Sequence, residues 1–273
     1  MTTDRRAAEP KRRVHHFPMF KQRSQKIVIV TAYDYPTGLA ADAGGCDAVL
    51  VGDSLGMVAL GYDSTIPVTM DVMVHHTAAV RRGVKRAFLI ADMPFLSYQA
   101  SVEQAMLNAG RLVQEGGAEA IKLEGGQSSV PAIKAISQAG IPVMAHIGLT
   151  PQSVHKLGGY KVQGRHDEAA AALIADAQAV QEAGAFAVVL EAMDPDVAAK
   201  ITAALTIPTI GIGAGRQCDG QVLVLSDLVG LTPGPSPKFA RQYVQLLGQM
   251  ENAVREYCSD VRSGEFPEPR HEY

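Results

Sequence analysis

The stretch SVEQAMLNAGRLVQEGGAEAIKLEGG, residues 101–126, decides the fold. Its first half is helical. Val102, Ala105, Met106, Ala109, Leu112 and Val113 recur at three- and four-residue spacing and form one apolar stripe. Ser101 followed three residues later by Gln104 is a capping-box start, and Gly116-Gly117 suits the helix exit. Its second half, EAIKLEGG, is a short apolar run closed by charge and glycine. A run without polar alternation reads as a strand buried on both faces, hence a parallel strand.

The same unit recurs outward in both directions. Upstream lie KIVIVTAYD (26–34), DAVLVGDSLG (47–56) and RAFLIADMPF (86–95). Downstream lie IPVMAHIGLT (141–150), FAVVLEAMD (186–194), IPTIGIGAG (207–215) and QVLVLSDLVG (221–230). The joints DAGGCDA, QEGGAEA, SQAGIPV and QEAGAFA repeat one grammar: helix end, glycine, small residues, next strand. Eight strands alternating with helices give a (β/α)₈ TIM barrel. A doubly wound sheet is the competitor, but GIGAG at 211–215 has GxGxG spacing and no early strand carries a dinucleotide fingerprint. The glycine loop reads as a tight turn rather than a phosphate cradle. The Pro-rich TPGPSPKF (232–239) precedes a final helix expected at roughly 239–257. One barrel domain is expected over 17–273, preceded by a basic, flexible, solvated N-terminal arm over 1–16.

Composition narrows the function. The 273 residues are 47% hydrophobic and 19% charged, enough for a large core and unlike a disordered chain. Lys and Arg total 25 against 28 Asp and Glu, so a net charge of −3 gives no general attraction to nucleic acid or anionic membrane. No apolar run approaches the roughly 20 residues of a membrane span, and no apolar stretch follows the basic N-terminus as a secretory signal requires. Cys46, Cys218 and Cys258 are far apart and form neither a zinc framework nor a disulfide scaffold, which points to a reducing cytoplasm.

The polar residues cluster at strand ends. The second run ends in Asp53-Ser54, the third in Asp92, the fourth in Lys122 and Glu124, the fifth in His146 and the sixth in Glu191. In a barrel these ends converge on the face that carries the chemistry. Lys122 and Glu124, two apart, share a strand face. Confined carboxylates facing one Lys and one His leave excess negative charge, which is expensive to bury. A hard divalent cation offsets it, and carboxylates without thiolates favour Mg²⁺. Asp53 and Asp92 are the natural pair, with Glu124 in reach directly or through water. Bland readings stand beside these: Asp53 and Asp92 as turn or cap residues, Lys122 as a structural ion pair to Glu124, His146 as a core histidine, Glu191 as a loop start. Five consecutive strand ends with ionisable groups favour the functional reading. His75-His76 and His155 receive no role.

The strings TAYDYPTG, VGDSLGMV, ADMPF, KLEGG, PVMAHIGLTPQS, GGYKVQGR and GIGAGRQCDGQVLV, in this order, resemble the ketopantoate hydroxymethyltransferases from about Phe17 to the FPEPRHEY tail. The resemblance implies a phosphoenolpyruvate/pyruvate-domain-like barrel with an N-terminal extension. It implies transfer of a one-carbon unit from 5,10-methylenetetrahydrofolate to 3-methyl-2-oxobutanoate through a Mg²⁺-stabilised enolate, giving 2-dehydropantoate and tetrahydrofolate for pantothenate and coenzyme A. It places one Mg²⁺ per subunit on Asp53, Asp92 and Glu124, substrate contacts on Asp53, Ser54, Asp92 and Lys122, the proton acceptor on Glu191, and further catalytic roles on Lys122 and His146. It implies a homodecamer of two pentameric rings. Two rivals share the barrel: another Mg²⁺-dependent 2-oxo-acid enzyme (a carbon–carbon lyase or phosphomutase), and a non-catalytic phosphate-ligand-binding barrel.

Overall fold

The computed structural model describes residues 10–273. The chain falls into two compact units, the first ending at Val224 and the second running from Leu225 to Tyr273. The extent expected for the barrel domain, 17–273, contains both.

In the first unit eight parallel strands close into a barrel in sequence order. They are β1 (Ile27–Thr31), β2 (Ala48–Val51), β3 (Phe88–Asp92), β4 (Ala120–Glu124), β5 (Val143–Gly148), β6 (Ala187–Glu191), β7 (Thr209–Ile212) and β8 (Gly220–Leu223). Each falls within one of the eight apolar runs, and β8 pairs with β1 to close the ring. The helices are α1 (His16–Gln22), α2 (Tyr35–Ala43), α3 (Leu55–Val58), α4 (Met70–Gly83), α5 (Val102–Gln114), α6 (Val130–Gln138), α7 (Val154–Leu157), α8 (Asp167–Glu182) and α9 (Pro195–Ala204). Local chemistry sets their starts. Ser101 accepts from Gln104 N at the head of α5, Thr69 from Val72 N at α4, and Asp34 from Thr37 N at α2. The α5 stripe is narrower than its periodicity suggests: Ala105, Ala109 and Leu112 are buried, while Val102 and Met106 are exposed.

Alternation along the strands fills the barrel. Ile27 and Ile29, Ala48 and Leu50, Phe88 and Ile90, Ala120, Met144, Ala187 and Val189, Ile210 and Ile212, and Val222 form one apolar cluster. Phe17 and Phe20 of α1 join it. Phe17 is fully buried, with ring centroids 5.5 Å from Phe88 and 5.2 Å from Phe186, so α1 plugs the N-terminal end of the barrel.

Residues 1–9 of the expected arm lie outside the described residues. Just before α1, Lys11 Nζ lies 2.6 Å from Glu119 Oε2 and donates to Ala87 O, and Arg12 Nε lies 3.1 Å from Asp47 Oδ1. Asp47, Ala87 and Glu119 each immediately precede a strand, so this part of the basic segment lies against the barrel floor rather than in solvent.

The second unit contains α10 (Leu225–Leu228) and α11 (Leu246–Ser263). The final helix thus starts seven residues later than expected from 239. Tyr243 N donates to Leu228 O and Leu246 N to Val229 O, which commits the approach to α11 to contacts outside a helix. No helix among the described residues is long and apolar enough to cross a membrane.

Truncating the plug removes a buried aromatic from a closed core. Phe17→Ala is expected to lower stability by about 3–5 kcal/mol, read as a shift in urea unfolding. A loss below about 1 kcal/mol would mean that α1 is an ornament on an already sealed barrel.

Candidate active site

Strand register brings the ionisable residues to one level. Asp92 pairs with Lys122, Glu124 with His146, and Glu191 with Gly148. Inward positions that are apolar on the lower layers become Asp92, Lys122, Glu124, His146 and Glu191 at the C-terminal layer. Asp53 and Ser54 follow β2 at the same mouth. Asp53, Asp92, Lys122, Glu124 and His146 are all buried; Glu191, with 16% of its side chain exposed, is the one partly open to solvent.

Asp92 is the hub of one half. Its Oδ2 accepts from Asp53 N at 3.0 Å, and its Oδ1 lies 3.1 Å from Lys122 Nζ. That second contact has ion-pair distance but not hydrogen-bond alignment, which leaves Oδ1 a buried atom without a hydrogen-bond partner. Asp53 and Asp92 therefore adjoin rather than diverge. Burial and the charge of Asp92 together push the Asp53 carboxyl from 3.8 up to about 7, against the opposing pull of Lys122. Burial and Asp53 raise Glu124 well above the usual carboxylate range. Burial alone would lower Lys122, but Asp92, Glu124 and Asp53 outweigh it and raise its pKa, so Lys122 is a permanent ammonium.

The other half is a relay. Lys122 Nζ lies 3.3 Å from His146 Nδ1, and His146 Nε2 lies 3.1 Å from Glu191 Oε2. An ammonium has only protons to offer, so Nδ1 is the accepting nitrogen and Nε2 carries the hydrogen; Nε2 is near Glu191 but not aligned for a hydrogen bond to it. Burial and Lys122 lower the His146 pKa, which keeps the ring neutral in this tautomer. His146 is thus neither a plain core histidine nor isolated: it connects the only buried ammonium of the group to the carboxylate of Glu191. The backbone beside Glu191 is unusual. Ala192 holds φ at +43°, a region costly for a residue with a Cβ, and a Cβ on Gly148 would strike Glu191 O.

Ser54 precedes α3, and its Oγ lies 2.9 Å from Tyr33 OH, which accepts from Thr31 Oγ1 at 2.8 Å. The site also contains neutral residues that the sequence reading passed over. Tyr98 OH accepts from Glu124 N and donates to Gln152 Oε1, and the Gln152 amide reaches Asp53. Neutral Gln and Tyr on loops carry no sequence signal of such a role. The glycine loop after β7 is a turn, with positive φ at Gly213 and Gly215, as expected.

The donor set suits a hard divalent cation. Asp53, Asp92 and Glu124 offer only oxygen, they are buried with a single ammonium, and one oxygen of Asp92 has no hydrogen-bond partner. As they stand, no three or more Asp, Glu, His or Cys side chains among the described residues are arranged to hold a metal ion, so binding here would draw the carboxylates together or rely on fewer protein ligands. An open, incomplete carboxylate set is what Mg²⁺ accepts, because it retains waters and takes substrate oxygens.

Barrel and mouth together define a (β/α)₈ enzyme with acidic groups at the C-terminal ends of its strands. The family model for ketopantoate hydroxymethyltransferase matches residues 11–269, and the chain belongs to that family. A 3-methyl-2-oxobutanoate hydroxymethyltransferase of Moorella thermoacetica is 57% identical over 253 residues, 93% of this chain and 94% of the relative. One of Dehalococcoides mccartyi is 58% identical over 247 residues, 90% and 88% of the two chains. Among solved structures, phosphonopyruvate hydrolase in complex with oxalate and Mg²⁺ superposes with a TM-score of 0.61 at 13% identity, covering 93% of this chain and 88% of that one. A 2,3-dimethylmalate lyase, a PEP mutase/isocitrate lyase superfamily member, gives 0.60 at 14% identity, covering 95% and 91%. The lyase and mutase rivals thus share the fold, whereas the hydroxymethyltransferases share over half the sequence.

The raised Asp53 carboxyl makes stability depend on pH. A carboxyl that holds its proton more tightly in the folded chain favours the fold while protonated. This contribution is full below about pH 4 and is lost as pH rises through about 7. The cation-free chain is therefore expected to melt at lower temperature at pH 8 than at pH 6, and Asp53→Asn to flatten that difference. Melting curves in a chelator test this, and an unchanged slope in the variant contradicts it.

Proposed function

We propose that this enzyme transfers a hydroxymethyl group from 5,10-methylenetetrahydrofolate to 3-methyl-2-oxobutanoate, giving 2-dehydropantoate and tetrahydrofolate. The observation that carries the reading is the line Asp92–Lys122–His146–Glu191. It joins a cation-seeking carboxylate group to a partly open base across one barrel mouth. Kinship with chains named for this oxo acid supports the substrate.

Asp53, Asp92 and Glu124 are the residues that would hold Mg²⁺, one ion per subunit. When bound, the ion supplies Lewis-acid polarisation of the oxo acid's carbonyl. Lys122 balances the substrate carboxylate with its ammonium, and Ser54 donates its hydroxyl to it. Glu191 removes the hydrogen on C3: the C–H bond breaks, the proton passes to the carboxylate, and the electron pair enters the enolate. His146 Nε2 lies 3.1 Å from Glu191 Oε2, close enough to bias which oxygen faces the substrate. Burial and Lys122 lower the His146 pKa, so its ring faces Glu191 in the neutral form. The methylene carbon bridges two folate nitrogens and leaves both: C3 of the enolate bonds to it as one carbon–nitrogen bond breaks, a water hydroxyl bonds to it as the other breaks, and the two nitrogens take up the proton removed from C3 and the remaining proton of the water.

The assembly implied by the resemblance is a decamer of two pentameric rings. The free thiols Cys46, Cys218 and Cys258 suit a reducing cytoplasm. Residues 17–273 are read as the catalytic barrel domain, with residues 1–16 as a basic arm preceding it.

Two variants test the assignment. Glu191→Gln is expected to bind the oxo acid with Mg²⁺ yet lose exchange of the C3 hydrogen in D₂O by roughly 10²–10⁴-fold, followed by proton NMR. Undiminished exchange would assign the base elsewhere. Asp92→Ala is expected to lose both activity and its response to Mg²⁺; a variant that still responds fully to added metal refutes the ligand role.

A further inference from the structure

Gln152 sits in the short turn Pro151–Ser153 that follows β5, and it is 4% exposed. Its contacts run to the C-terminal ends of the three strands preceding β5. The side-chain Nε2 donates to Asp53 Oδ2 at 2.8 Å, after β2, and to Met93 O at 2.9 Å, after β3. The backbone N donates to Glu124 Oε2 at 3.0 Å, at the end of β4. The Oε1 accepts from Tyr98 OH at 2.8 Å and from Gln99 Nε2 at 3.2 Å. The amide orientation follows from its neighbours: two acceptors face the NH₂ and two donors face the oxygen.

The three acidic residues then show one pattern. Each has one oxygen held by a protein N–H: Asp53 Oδ2 by Gln152 Nε2, Glu124 Oε2 by Gln152 N, and Asp92 Oδ2 by Asp53 N. Each second oxygen has no hydrogen-bond donor. Asp92 Oδ1 has no hydrogen-bond partner and only the ammonium of Lys122 at 3.1 Å beside it. Glu124 Oε1 is 3.6 Å from His146 Nδ1, too far for a hydrogen bond. Asp53 Oδ1 accepts from none of the described residues. Gln152 supplies two of the three clamps from one residue.

We propose that Gln152 is a positioning residue for the cation: by donating to one oxygen of Asp53 and one of Glu124, it turns the remaining oxygens into a common acceptor set for Mg²⁺. The inference rests on the metal reading above and adds to it a residue that touches neither metal nor substrate. Neutrality is part of the role. A Lys or Arg here would add a charge competing with the cation, and an apolar side chain would leave Asp53 Oδ2 buried without a donor. A partner behind a ligand typically changes metal affinity by about 10–100-fold.

The test uses the full-length enzyme freed of metal. Gln152→Met keeps length and flexibility and removes both side-chain donors and the acceptor. Calorimetric titration with MgCl₂ is expected to show affinity weakened roughly 10–100-fold. C3 exchange of 3-methyl-2-oxobutanoate in D₂O, without folate, should need correspondingly more Mg²⁺ for half-maximal rate, while the rate at saturating Mg²⁺ stays within a few-fold of wild type. Such a split separates positioning from general loss of structure, which lowers the saturated rate and leaves affinity alone. Wild-type Mg²⁺ affinity in a folded Gln152→Met chain overturns the proposal. If that variant does not fold, Tyr98→Phe, which removes one of the two donors to Gln152 Oε1, is expected to weaken Mg²⁺ several-fold, and unchanged affinity there overturns it equally. Wild-type enzyme that binds no Mg²⁺ fails the metal reading itself, and this inference with it.

Discussion

The structure turns on like charge held in a dry, narrow space. Asp53, Asp92 and Glu124 are buried within reach of one another, and Lys122 is the one ammonium among them. Water is the usual remedy for crowded carboxylates, and the barrel denies it. The chain answers with oriented N–H groups, from Gln152 and from the backbone of Asp53, and with carboxyl groups that hold protons more tightly than usual. These measures leave unmatched negative charge. A divalent cation, as proposed above, would offset it.

The barrel separates the costs of this arrangement from the fold that bears them. Below the charged layer the interior is apolar, from Ile90 and Val189 down to Phe17 and Phe20 of the plug. Strand ends supply chemistry, strand beginnings supply stability, and the division follows from alternation and register. Lys122 and Glu124 are two apart on β4, so placing one inside places both. Pairing of Glu124 with His146 carries the inward direction to β5, and Gly148 with Glu191 carries the level to β6. Each parallel strand thus fixes its neighbour's contribution to the site.

Most of this was legible in the sequence because it is local or periodic. The eight strands announce themselves as unbroken apolar runs, the Ser101 cap lies three residues from its partner, and Asp53, Asp92, Lys122, Glu124, His146 and Glu191 stand where each run ends. What escaped has no local signature. His146 meets Glu191 across 45 positions, so its role needs the register of two strands. Gln152 meets Asp53 across 99 positions, and a neutral amide in a loop draws no attention. The late start of α11 reflects hydrogen bonds that Tyr243 and Leu246 make to residues 228 and 229, which no propensity encodes. Lys11 and Arg12 read as solvated charge until Glu119 and Asp47 appear beneath the barrel to receive them.

If a cation relieves the crowding, it must take the place of protons. Asp53, pushed up to about 7, still carries a proton near pH 6 and has shed it by pH 9. The decisive measurement is the number of protons released as Mg²⁺ binds, from calorimetry in buffers of different ionisation heat at those two pH values. Net proton release at pH 6 that falls as the pH is raised to 9, drawn from Asp53 and Glu124, is the predicted result. Binding with no proton release at pH 6, or no binding at either pH, would contradict the account.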